Sequence, residues 1–129
     1  MGRVVTRNRR SARDAGAKFE RTIADCLALH VDDRIDRRVK TGAKDRGDIG
    51  GLRHGPARVV IECKDVARLD LPGWLREAEV ERGNDDALVG LVVHKKRGTA
   101  NPLDQYVTTS VRDLIALLTG TRPEEVKAA

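Results

Sequence analysis

The sequence predicts a single α/β domain, a mixed β-sheet flanked by helices, in the order α-β-β-β-α-β-β-α. Three observations predict it. Phe19, Ile23, Leu27 and Val31 recur at four-residue steps, as on an amphipathic helix. Two aliphatic runs, Val59-Val60-Ile61 and Leu88 to Val93, have the length and β-branched content of buried strands. Between them lies a segment opened by Pro72-Gly73 and broken by Gly83-Asn84-Asp85, the punctuation of a helix.

The first helix is expected from about Ala15 to His30, and a charged, alternating segment, Arg34 to Thr41, reads as an edge strand. After a polar loop, Asp48 to Leu52 reads as a short strand ended by His54-Gly55-Pro56, and Ala57 to Val66 as the strongest strand. The second helix runs to about Arg82, and Ala87 to His94 is a strand buried on both faces. A basic loop, Lys95 to Gly98, leads to a strand near Tyr106 to Thr108. Ser110 is the expected N-cap of the last helix, with Leu114, Ile115, Leu117 and Leu118 as its apolar face and Gly120 as its stop.

At 129 residues and 40% apolar content the chain suits one compact domain, and its core must rest on aliphatic side chains because aromatics make up 2%. No apolar run reaches the roughly 18 residues of a membrane span, and no secretory signal is expected. Cys26 and Cys63 have neither CxxC spacing nor a histidine at ligand spacing. Reduced thiols and a cytoplasmic location are the simplest reading, and a structural zinc site is not expected.

Charge is informative by position. Residues 1–18 hold six basic side chains (Arg3, Arg7, Arg9, Arg10, Arg13, Lys18) against Asp14, which equals the net charge of +5 of the whole chain. Residues 1–14 therefore read as a flexible basic arm suited to phosphate, because Arg-rich segments gain affinity by releasing counterions from nucleic acid. The alternative is a solvated terminus without a partner. Lys40, Lys44 and Arg46, and Lys95, Lys96 and Arg97, are further candidates for DNA contact.

The chemistry centres on Val60-Ile61-Glu62-Cys63-Lys64. Side chains alternate along a strand, so Glu62 and Lys64 share one face in the most apolar strand of the chain. Buried charge requires a partner. Either the two form a structural pair on a solvated face, or they belong to a metal site. Asp48, flanked by Gly47 and Gly50-Gly51, favours the metal site. A hairpin at Gly55-Pro56 brings the start of one strand beside the end of the next. Two carboxylates and a lysine converging there suit Mg²⁺, with Mn²⁺ as a substitute, and phosphate and water to complete the shell.

Gly47-Asp48-Ile49, twelve residues, then Glu62-Cys63-Lys64 resembles the motif of the PD-(D/E)XK nuclease superfamily, with Gly47 in place of its proline. Glu20, on the helix before the motif, is similar to an acidic position of the archaeal-type Holliday junction resolvase branch. The resemblance covers roughly Ala15 to Leu118 and implies a restriction-endonuclease-like nuclease domain over residues 15–120, with a C-terminal tail at 121–129. It implies that Asp48 and Glu62 ligate the metal together with the backbone carbonyl of Cys63, that Lys64 is catalytic, and that Glu20 supports the metal directly or through water. The activity implied is Mg²⁺-dependent hydrolysis of phosphodiesters at four-way DNA junctions by a homodimer. A restriction-like or nicking endonuclease on the same fold, and a non-cutting DNA-binding protein, are the alternatives. The branch's polar residue, commonly Gln, on the following helix has no assigned counterpart among Arg76, Glu77 and Glu79.

Overall fold

The structure is a computed structural model and describes residues 8–39 and 44–125. Arg7 and Lys40, both expected to contact DNA, lie outside the described residues.

Helix α1 spans Arg9–His30. Its N-cap is Asn8, whose side chain accepts the N–H of Ser11 at 2.8 Å. The helix thus begins six residues before the expected Ala15. Its first turns are polar on every side and are held by a cap rather than by burial, so apolar periodicity does not register them. Arg9, Arg10 and Arg13 ride on this helix, and the segment read as a flexible arm is helical from Arg9 onward. Further along, Phe19, Ile23 and Ala24 are buried.

The remaining elements are β1 (Asp36–Arg37), β2 (Ile49–Gly50), β3 (Arg53–His54), β4 (Ala57–Lys64), α2 (Leu71–Asn84), β5 (Val89–His94), β6 (Tyr106–Thr108) and α3 (Val111–Thr119). Short 3₁₀ turns lie at Pro102–Asp104 and Pro123–Glu125. The strand expected from Asp48 to Leu52 is shortened to β2, and a further short strand, β3, lies at Arg53–His54, where only a turn is expected. Gly51 sits between β2 and β3 at φ +87°, and a Cβ there would stand 2.7 Å from the carbonyl oxygen of Arg34. Only glycine lets the chain turn so close to its neighbour, and the ladder breaks at that point.

The described residues form one open mixed sheet of six strands in the order β1-β2-β4-β5-β6, with β3 paired to β4 alone. The pairing of β4 with β5 is parallel, from Val59 opposite Val89 to Lys64 opposite His94. All other pairings are antiparallel. Parallel neighbours need a crossover, and α2 supplies it. Val59, Ile61 and Cys63 of β4 pack with Phe19, Ile23 and Ala24 of α1 and Ala116 of α3. On the other face Trp74 and Ala78 of α2 pack on Val92, so Trp74 anchors packing as its position at a helix start suggests. Gly90 allows this approach: a Cβ there would lie 2.9 Å from the carbonyl oxygen of Ala78.

The region after α3 is part of the fold as far as residue 125. Arg122 is 5% exposed, and its guanidinium reaches the carbonyl of Leu88 at 2.7 Å and Asp113 at 3.2 Å. The other Asp113 oxygen accepts the N–H of Gly90 at 2.8 Å. This network ties α3 and the following turn to the start of β5. No described helix is long and apolar enough to cross a membrane.

Removing one partner of a buried pair leaves the other unpaired, which costs about 3–5 kcal/mol. Asp113→Ala should therefore lower folding stability by about that amount in a denaturant titration, whereas a loss below about 1 kcal/mol would mean that the network contributes like a surface pair.

Candidate metal centre

Asp48 is fixed before its side chain makes any contact. Its carbonyl accepts the N–H of Arg38, and its N–H donates to the carbonyl of Ile61, each at 2.8 Å. Gly47, at φ +95°, allows the approach, since a Cβ there would lie 2.9 Å from Val60 Cγ1. The carboxylate Oδ2 then accepts the N–H of Cys63 at 2.8 Å. The Asp48 side chain therefore runs along the edge of β4 from the level of Ile61 to that of Cys63, 3% exposed. The N–H and C=O of one strand residue point to the same side, so the Cys63 carbonyl also faces this edge.

Glu62 and Lys64 project from the opposite face of β4 to the Cys63 thiol, towards α2. Lys64 Nζ lies 2.8 Å from Glu77 of α2 and 3.5 Å from Glu62 Oε1. Burial acts to lower the Lys64 pKa, but the hydrogen bond to Glu77 and the charge of Glu62 outweigh it and raise the pKa overall. The ammonium keeps its proton at neutral pH.

The carboxylates that come together with Glu62 are ones the sequence reading left out. Asp45, Glu62 and Glu81 each bring an oxygen within 4.8 Å of the others, and Asp48 is not in this group. Glu81 is 2% exposed and Glu62 6%. Each has a buried Oε2 that no N–H or hydroxyl among the described residues reaches. Burial, and then the Glu62 carboxylate, push the Glu81 carboxyl far above the usual range. Burial likewise raises Glu62, against the hydrogen bond with Glu81 and the charge of Lys64. Two facing carboxyls with little water cannot both stay charged, so without a cation one proton is held between them. Lys64 offsets the charge on Glu62, which leaves the proton on Glu81.

A signal for Glu81 exists in the sequence. Trp74, Ala78 and Glu81 occupy the i, i+4, i+7 stripe of α2, and all three are buried. A glutamate in that stripe breaks the apolar pattern as Glu62 does on β4. Asp45 carries no such signal among the charges of its loop.

Glu20 lies on α1, on the sheet face opposite Glu62. It accepts two hydrogen bonds from Arg37, at 3.0 and 3.2 Å. Its charge nonetheless reaches Cys63. Burial and then the charges of Asp48, Glu20, Glu62 and Glu81 push the Cys63 thiol upward, so it is not a nucleophile at neutral pH. The site is thus divided by β4. Asp48 and Glu20 act on the side of the Cys63 backbone and thiol, and Glu62, Glu81 and Asp45 gather under α2.

The expected DNA contacts are distributed unevenly. Lys44, Arg46, Arg9 and Arg10 are exposed. Arg13 lines a cavity of about 640 Å³ between α1 and β1 together with Glu20, Arg21 and Arg37. In the loop after β5, Arg97 binds Asp65 and the Val66 carbonyl, Lys95 bonds the Thr99 carbonyl, and Lys96 lies 5.9 Å from the centre of the Tyr106 ring. Lys95 and Arg97 are engaged in holding their own loop.

No protein-family model matches the chain, and no curated protein or solved structure matches it significantly.

The Glu81 carboxyl predicts a pH dependence. An unfolded glutamate releases its proton near 4.5, whereas the folded chain retains it well above that. The native state then binds more protons than the unfolded one, so stability falls as pH rises above about 4.5. In EDTA, the melting temperature should drop from pH 6 to pH 9, and Glu81→Gln, which carries no proton to lose, should remove most of the slope. An unchanged slope in that variant would refute this protonation state.

Proposed function

We propose that this chain is a Mg²⁺-dependent endonuclease that cuts branched DNA, with the four-way junction as its preferred substrate. The observation that carries the reading is the 2.8 Å bond from the Cys63 N–H to Asp48. It holds a buried carboxylate beside the one segment of β4 that carries Glu62 and Lys64. This supports the Asp…Glu-x-Lys arrangement on which the nuclease resemblance rests. The mixed sheet with α2 as crossover supports a restriction-endonuclease-like form of the α/β fold.

The donors suit a hard cation. Asp48, Glu62 and the Cys63 carbonyl offer only oxygen, and Glu62 Oε2 is buried with no N–H or hydroxyl donor among the described residues. When bound, Mg²⁺ (or Mn²⁺) supplies Lewis acidity, which lowers the pKa of water and polarises a phosphate. Asp48 from the edge of β4 and Glu62 from its α2 face would hold and orient that charge from the two sides of the Cys63 backbone. Lys64, protonated and half-buried beside Glu62, offsets the negative charge that develops on the phosphoryl oxygens. Glu20, held by Arg37, acts on the site through the field at Cys63 or through water. Arg9, Arg10 and Arg13, at the start of α1, contact DNA phosphates together with Lys44 and Arg46. Two symmetric cuts across a junction imply a two-fold homodimer with one site per subunit.

A panel of four-way, forked and linear duplex DNA with Mg²⁺ tests the reading. The four-way junction should be cut fastest, and Asp48→Asn, Glu62→Gln and Lys64→Met should each reduce cleavage by about a hundredfold or more while junction binding persists. Full cleavage by Asp48→Asn would remove the site assignment, and a preference for linear duplex would favour a restriction-like enzyme. Replacing Arg9, Arg10 and Arg13 with Gln should flatten the salt dependence of binding by up to about three in the log–log slope, measured by titration at several salt concentrations.

A further inference from the structure

We infer that Glu81 and Asp45 form, with Glu62, a divalent-cation site under α2 that is distinct from the Asp48–Cys63 edge. The inference shares Glu62 with the proposed nuclease reading but stands on the carboxylate geometry alone.

Three elements deliver the three carboxylates: β4 carries Glu62, α2 carries Glu81, and the loop before β2 carries Asp45. That loop is anchored to α2, since Asn84 donates to the Asp45 carbonyl at 2.8 Å. Within the loop, Asp45 Oδ1 accepts the N–H of Gly47 at 2.9 Å. Ligand oxygens within 4.8 Å of one another suit a single hard ion. Metal–oxygen bonds of about 2.1–2.4 Å put opposite ligands about 4.2–4.8 Å apart and adjacent ones closer. No nitrogen or sulfur belongs to the group, which selects Mg²⁺, Mn²⁺ or Ca²⁺ over softer metals.

A cluster of acids alone would signify little. The independent observation is that Glu62 and Glu81, both more than nine-tenths buried, each keep an Oε2 that no N–H or hydroxyl among the described residues reaches, so the one donor left to the pair is the proton it shares. Buried carboxylate oxygens are almost always satisfied, because leaving one without a partner is costly. Lys64 does not meet the need, as it approaches Glu62 at Oε1 and gives its short contact to Glu77. A divalent ion held by the two carboxylates would take the place of that proton and neutralise both.

The group also has an entry route. A cavity of about 510 Å³ is lined by Asp45, Asp70, Gly73, Arg76, Glu77, Val80 and Glu81. Four carboxylates against one guanidinium make it attractive to cations, and Asp45 and Glu81 lead from it to Glu62.

The test is Mn²⁺ binding to the full chain after chelator treatment, followed by electron paramagnetic resonance titration at neutral pH. Wild type should bind Mn²⁺, and Glu81→Gln and Asp45→Asn should each weaken binding by about tenfold or more. Glu81→Gln keeps the shape and neutrality of the protonated side chain, so it should fold, as circular dichroism would verify. Asp70→Asn keeps a good helix cap and removes a charge from the same cavity outside the group. It should change affinity by less than about twofold. Unaltered affinity in Glu81→Gln, an equal loss in Asp70→Asn, or no Mn²⁺ binding by wild type would each overturn the inference. DNA cleavage measured in parallel separates the two readings. Mn²⁺ binding that requires Glu81 without any cleavage sustains this site and removes the nuclease. Cleavage with Mn²⁺ affinity unchanged in Glu81→Gln does the reverse.

Discussion

The parallel pairing of β4 with β5 is the constraint from which the rest of the molecule follows. Six residue pairs run in register from Val59–Val89 to Lys64–His94. A parallel pair cannot be closed by a tight turn, so the chain must cross over one face of the sheet. α2 makes that crossing, while α1 and α3 cover the other face through Phe19, Ile23, Ala24 and Ala116. Both faces of β4 are thereby buried, and its alternation divides Val59, Ile61 and Cys63 from Val60, Glu62 and Lys64. The same alternation that builds the core beneath α1 presents a carboxylate and an ammonium to α2.

Close packing by α2 sharpens the electrostatic conflict. Gly90 allows the helix backbone to settle onto β5, and Trp74 and Ala78 fill the contact with Val92. One further turn along the same stripe, Glu81 meets Glu62 with almost no solvent. Hydrophobic packing on α2 therefore enforces a juxtaposition that electrostatics opposes. A buried like-charge pair of this kind is destabilising unless a proton or a cation lies between its members. Such conflicts between local chemistry and the packed fold collect at functional sites.

Around this centre, many of the arginines that make the chain basic already have intramolecular partners. Arg38 and Arg58 converge on buried Asp85, Arg37 binds Glu20, Arg97 binds Asp65, and Arg122 binds Asp113. A count of basic side chains therefore overstates the cations available to a polyanion. The loop after β5 shows this clearly, because Lys95 and Arg97 fold back on their own segment. The exposed guanidinium groups at the start of α1 are different: no apolar neighbour buries them, and the helix projects them into solvent.

The sequence by itself determined the three helices, the strands β4 and β5 with α2 between them, and the charged break at Glu62 and Lys64 in an apolar strand. Those features rest on local periodicity, caps and turn residues, which act over a few positions. It also marked Asp48, because glycines on both sides signal close backbone approach. The early start of α1 escaped it, since a polar helix start held by the Asn8 cap leaves no apolar trace. The division of β2 from β3 escaped it too, because Gly51 meets Arg34 across a gap in sequence. Only the tertiary structure decided which carboxylate Glu62 faces. Glu81 lies 19 residues further on, Asp45 lies in an irregular loop, and Asp48 is drawn to the Cys63 N–H at the strand edge. Periodicity can assign a residue to the buried stripe of a helix. Which buried stripe it meets depends on the crossover and the depth of packing, and these are properties of the whole sheet.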